Sequence, residues 1–241
     1  MPGWQAIYDE LKSKNLEVIS VAEDTRGAQD AGPWMTAAML PMDAPVRSPA
    51  PAERIRLTHT ALIDQEHLVS KLYSMVNVPT AVWIDEQGRI VRPNETAYVD
   101  DRLKYIHGLE SVHYLAALRD WAEKGERSAY VFSEERLRKR LAAQNPHWAP
   151  AAAEFGLGQH LYRSGFLEDA IPHFKAAQRL NPDSWNYKRQ AWLLSDSKRD
   201  YGTTFREEVA KLNGKRYYPA RDLPGEQTPT METRRHGENP G

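Results

Sequence analysis

Residues 77–91 read Asn-Val-Pro-Thr-Ala-Val-Trp-Ile-Asp-Glu-Gln-Gly-Arg-Ile-Val. The run from Val78 to Asp85 is the strongest strand signal in the chain: β-branched and aromatic residues fit a pleated, half-buried surface. Pro79 has no N–H to give to a ladder, so it belongs at a strand's first residue or on an edge. Glu86 to Arg89, with Gly88, makes a tight turn, and Ile90-Val91-Arg92 begins a returning antiparallel strand.

Working upstream, Gln65 to Met75 reads as an amphipathic helix with Leu68, Leu72 and Met75 inward, and Leu57 to Ile63 as a short strand closed by Asp64. Thr25 to Arg56 is irregular and carries Pro33, Pro41, Pro45, Pro49 and Pro51; only Trp34 to Leu40 looks briefly helical. So long an irregular stretch reads as a functional lid or a disordered insertion. Leu16 to Ala22 is a β-branched run that predicts a strand buried on both faces. Before it, Trp4, Ile7, Tyr8 and Leu11 share one helical face, which predicts a helix over Gly3 to Lys14 ended by Asn15. A helix leading straight into a buried strand marks an α/β fold.

Downstream the pattern turns helical. Helices are predicted over Ser111 to Lys124, from Ser133 to about Asn145, over Ala151 to Ser164, over Leu167 to Leu180, and from near Asp183. After about Lys211 the chain is charged and aperiodic, so residues 213–241 are expected to be a disordered tail.

The first half resembles the thioredoxin-like redoxins of the TlpA/ResA and AhpC/TSA type. The resemblance rests on the order of elements and on Val78-Pro79-Thr80, Ile84-Asp85, Gly88 and Ile90-Val91. It implies a cis peptide before Pro79 and a substrate groove lined by Val78, Pro79, Thr80 and Pro2, with Val78 meeting the substrate backbone. It also implies a departure. In that family a central strand leads into a Cys-x-x-Cys motif that begins a helix, and Met1 to Tyr8 looks like the piece just past that motif. The chain as given would then lack its middle strand. The orphaned backbone groups, at about 1–3 kcal/mol each, would rival a domain's whole stability of about 5–15 kcal/mol. Two accounts follow. Either the redox motif, with cysteine or selenocysteine, lies upstream of Met1, or thiol chemistry has been lost and the fold kept for binding.

Leu157-Gly158, Gly165, Ala170, Phe174, Ala177 and Pro182 resemble one tetratricopeptide unit over residues 149–182, close to that repeat's length of about 34 residues. Glu154, Leu161 and Pro172 depart from it. The unit implies two antiparallel helices and either a packing module or a surface for a protein partner.

Composition narrows the functions. The 241 residues contain no cysteine, and 32 basic residues balance 33 acidic ones. Thiolate catalysis, disulfides and cysteine-bearing zinc sites are excluded within these residues, and no overall charge favours nucleic acid or an anionic membrane. The eight histidines, including His59, His67, His107 and His113, lack helical metal-site spacing, so no metal and no cofactor are expected. Arg136, Arg138, Lys139 and Arg140 read as a solvated helix face, and Trp34, Trp83, Trp121 and Trp192 as core. No signal or membrane segment is visible, which predicts a cytoplasmic protein.

The organisation expected is a thioredoxin-like α/β domain over residues 1–124 with an insertion at 25–56, then an all-α TPR-like domain over 125–212. The function expected is a thiol (or selenol) disulfide oxidoreductase or peroxidase, redox-inactive as given, with no catalytic residue in this chain. Its partner would be a protein or peptide thiol or disulfide. The alternative is a non-catalytic binding or scaffold protein that holds a partner at the helical hairpin.

Overall fold

The computed structural model describes residues 2–35, 56–101, 104, 109–142, 146–213, 221–224 and 226. Helix α1 (Pro2–Leu11) buries Ile7 and Leu11. Proline suits its first position, where no intrahelical N–H bond is lost. A 3-10 turn at Lys12–Lys14 follows, and Asn15 stops it in the left-handed region at φ 63°. Strand β1 (Ile19–Glu23) pairs in parallel with β2 (Thr60–Asp64), Val21 opposite Leu62, with helix α2 (Ala28–Met35) between them in sequence. After the short helix α3 (Leu68–Leu72), strands β3 (Thr80–Ile84) and β4 (Ile90–Thr96) form an antiparallel hairpin. Its turn is held by the Asp85 carboxylate, which accepts the N–H groups of Gln87 and Arg89 at 3.0 and 2.8 Å, and by Gly88 at φ 76°.

The described strands therefore form two separate two-stranded sheets rather than one. One core packs against the β3–β4 hairpin and reaches the approach to β1. Ile7 and Leu11 of α1 join Leu16 and Val18 at the approach to β1, Trp83 of β3, Val91 of β4, and Tyr114, Ala117 and Leu118 of helix α4 (Ser111–Lys124). The Trp83 indole N–H donates to the Tyr114 hydroxyl at 2.8 Å, and its ring stacks on Trp121 at 4.8 Å. On the outer side, Arg119 of α4 forks onto Glu10 of α1 at 2.6 and 2.9 Å.

The later described elements are all helical: α5 (Glu134–Ala142), α6 (Trp148–Arg163), α7 (Leu167–Leu180), α8 (Trp185–Leu194), α9 (Ser197–Tyr201) and α10 (Phe205–Ala210). The small residues let α6 and α7 approach closely. A Cβ added at Gly158 would lie 2.7 Å from the Phe174 ring, and Ala170, Phe174 and Ala177 are sealed beside Ala151 and Phe155. The last three helices are capped as their sequences dictate: Ser184 accepts from Tyr187 N–H, Asp196 from Lys198 and Arg199, and Thr204 with Glu207 forms a capping box.

Several expectations are corrected. The first strand is not buried on both faces: Ile19 is 64% exposed and the next four residues are half-buried, and among the described residues β1 pairs with β2 alone. The helix expected over Gln65 to Met75 spans only Leu68–Leu72, and Leu68 and Leu72 face outward while His67 and Ser70 are buried in their place. Its start is fixed by polar contacts, not by an apolar stripe: Asp64 accepts the Val69 N–H at 2.7 Å and Glu23 the Ser70 N–H at 2.9 Å. Within the stretch expected to be a disordered tail, Leu223 joins the α/β core and Arg221 is buried, donating to the Glu110 carbonyl at 2.7 Å and pairing with Glu226. The segment after α4 also stays with the sheet. Phe132 N–H bonds the Val91 carbonyl at 2.9 Å, and Arg92, fully buried, pairs with Glu95 and donates to the carbonyls of Tyr130 and Asp222 at 2.7 and 2.6 Å. The insertion's core lies outside the described residues, as do Met1 and most of the last thirty positions.

Candidate functional site

The loop leading into β3 is fastened at nearly every residue. Asn77 is buried; its Oδ1 accepts the Val78 N–H at 2.9 Å, and its carbonyl accepts the Thr80 hydroxyl at 2.6 Å. The Val78–Pro79 peptide is cis, the isomer that the resemblance implies at this position. The Pro79 carbonyl accepts the Ala97 N–H at 3.3 Å, just beyond β4. Two residues further on, Val99 lies against Gly3, where an added Cβ would sit 2.7 Å from the valine side chain. The start of α1, where Pro2 stands, and the Pro79 loop thus share the 97–99 stretch as a common neighbour.

The helical region closes over the other side of this loop. At the start of α8, the Trp185 and Asn186 N–H groups both bond the Val76 carbonyl, at 2.7 and 3.1 Å. Such orphan donors at a helix start seek an acceptor. The Asn186 side chain donates to the Met75 carbonyl at 3.2 Å, and Arg189 reaches the Val78 carbonyl at 3.4 Å. Both backbone polar groups of Val78 therefore face groups of the chain itself.

Behind the loop lies a buried polar junction. Glu23, the last residue of β1, places one carboxyl oxygen 3.9 Å from His67 Nδ1 and 3.4 Å from the Asn186 amide. The His67 ring meets the edge of Phe155 at 5.3 Å, and its Nε2 is 3.4 Å from the Thr25 hydroxyl. Gln159 of α6 ties the same corner, donating to Thr25 at 2.7 Å and to the Gln65 carbonyl at 3.1 Å. Burial, reinforced by the nearby Asp64 charge and opposed by the Ser70 bond, pushes the Glu23 carboxyl up to about 7. Burial pushes His67 down to about 4. Burial and the Glu23 charge together raise the Tyr187 hydroxyl to about 12.

The sequence reading singled out Val78, Pro79, Thr80 and Pro2 but missed Glu23, Asn186 and Arg189, and found in His67 only the lack of metal-site spacing. No spacing rule links positions 23, 67, 159 and 186. The one available signal was an acidic residue directly after an apolar strand run. Among the described residues no group of three or more His, Cys, Asp or Glu is placed to hold a metal ion, and no helix is long and apolar enough to cross a membrane. Comparison with family models, curated proteins and solved structures yields no match.

Proposed function

We propose that this chain is the greater part of a thioredoxin-like redoxin, and that its reactive thiol or selenol pair lies upstream of Met1. The observation that carries the reading is the divided sheet. β1 and β3 each pair with one strand only among the described residues, while one helix, α1, packs in a core that takes in Trp83 of β3 and Leu16 and Val18 at the approach to β1. A central strand leading into a redox motif and then into α1 would supply the missing partner. Its nucleophile would sit at the positive end of α1, which favours a thiolate. The groove would be lined by Val78, Pro79, Thr80 and Pro2, and its substrate would be a protein or peptide thiol or disulfide. The α6–α7 hairpin, read as a single TPR-like unit, would serve as packing for this domain or as a partner's surface.

A second reading is favoured by the occupied backbone of Val78. With both of its polar groups met by Asn77 and Arg189, the loop is already filled, as suits a thiol-free binding or scaffold protein. The intact mass of the protein from its native source separates the two. A mass above 27.5 kDa, with upstream peptides bearing a strand and Cys or Sec, is the result expected. A mass at that value, starting at Met1, would leave the scaffold reading.

A further inference from the structure

The Glu23–His67 junction is built from both regions of the chain. The ionisable groups facing it are Asp64 from β2, Glu66 from the β2–α3 connection and Tyr187 from α8. Among the described residues no Lys or Arg makes an ion pair with Glu23, and Arg163 of α6 is engaged at the rim by Glu66. A bare carboxylate at Glu23 would thus be buried facing a second carboxylate. An imidazolium at His67 could offset it, but the 3.9 Å gap is too long for a hydrogen bond. A buried ion pair without that bond does not recover its desolvation cost. The arrangement that costs least puts the proton on Glu23 and leaves His67 neutral. Once the helical region lifts away, both groups meet water and the preference inverts, because an exposed imidazole holds its proton to higher pH than an exposed carboxyl.

We propose that Glu23 and His67 form a compensating proton-binding pair that latches the helical region onto the α/β region with nearly constant strength from mildly acidic to slightly alkaline pH. Glu23 contributes fully below its ordinary value of 4.5 and loses that contribution as pH rises through about 7. His67 contributes fully above its ordinary value of 6.5 and loses it as pH falls through about 4. The two windows overlap with opposite sign, so closing the junction moves the preferred proton site while binding few protons overall. The inference stands on the junction alone and holds whichever function is correct.

Hydrogen exchange at the Trp185 and Asn186 amides, corrected for intrinsic exchange, reads the opening of this junction in the full chain. Between pH 5 and 8 the natural chain should change its opening by less than about threefold. Glu23→Gln should leave the histidine term alone, so opening falls more than about tenfold over that range; His67→Gln should raise it more than about tenfold. A natural chain that changes more than about tenfold, or variants that keep its profile, would overturn the proposal. Should either variant not fold, NMR titration of the natural chain decides. A Glu23 carboxyl carbon titrating near neutrality beside a His67 ring neutral to about pH 4 supports the latch; a carboxyl titrating at its ordinary value refutes it.

Discussion

Strand β1 and helix α7 each carry apolar residues, yet these end in opposite states. In α7, Ala170 and Ala177 have no exposed surface and Phe174 is 1% exposed, whereas Ile19 at the start of β1 is 64% exposed. A helix satisfies its backbone internally and needs only one stripe covered, which α6 and α8 supply for α7. A strand leaves its backbone groups to be met by neighbouring strands, and parallel strands are usually covered on both faces. The α6–α7 hairpin buries its stripe together with Tyr187, Ala191 and Leu194 of α8. Among the described residues β1 pairs with β2 alone, and Ile19 stays exposed.

The sharpest way to break this contrast is to open each region at its most buried point. Phe174→Ala should cost about 3–5 kcal/mol in urea unfolding, by lost burial and a cavity between α6 and α7. On the α/β side, Arg92→Leu should cost a similar 3–5 kcal/mol, roughly, since it strands buried Glu95 and frees the Tyr130 and Asp222 carbonyls. A cost below about 1 kcal/mol at Arg92 would mean that β4 and the segment around Leu223 are not held as one body. Gly158→Ala sharpens the helical side: helix propensity alone favours alanine by about 1 kcal/mol, but the clash with Phe174 should turn this into a loss of about 1–3 kcal/mol. Ser184→Ala removes the cap of α8 and should cost about 1 kcal/mol, with faster exchange at Tyr187. The smallest effect is expected at the exposed strand. Ile19→Ala should stay within about 0.5 kcal/mol, and a loss of 2 kcal/mol or so would show that something covers β1 in solution.

The sequence was most legible where a signal is local. The β3–β4 hairpin was read from the strand run after Pro79 and the Gly88 turn. The α6 and α7 helices were read from their periodicity, with the small residues at 158, 170 and 177 where two helices meet. The reading failed where long-range contact decides. Leu68 and Leu72 form an apolar stripe on paper, but α3 is too short to use it, and His67 and Ser70 are drawn inward by Thr25 and Glu23. Leu223 lies in a charged, aperiodic stretch with no neighbours in sequence to reveal its burial. At the candidate site, the Pro79 loop was visible because proline constrains its own backbone. Arg189 and Asn186 were not, because nothing near them in sequence points to a loop more than a hundred positions away.

By itself the sequence determined the alternation of helix and strand, the helical second half, and the absence of any thiol, since each is fixed by residue type and short-range spacing. The tertiary structure alone decided that the described strands form two separate pairs, that α8 sits on the Val76 and Val78 carbonyls, and that Glu23 and His67 share one buried corner. Those outcomes depend on which distant groups meet where water is excluded. Only there do an unpaired strand edge, an orphan helix N–H or a lone carboxyl carry a cost large enough to choose the arrangement.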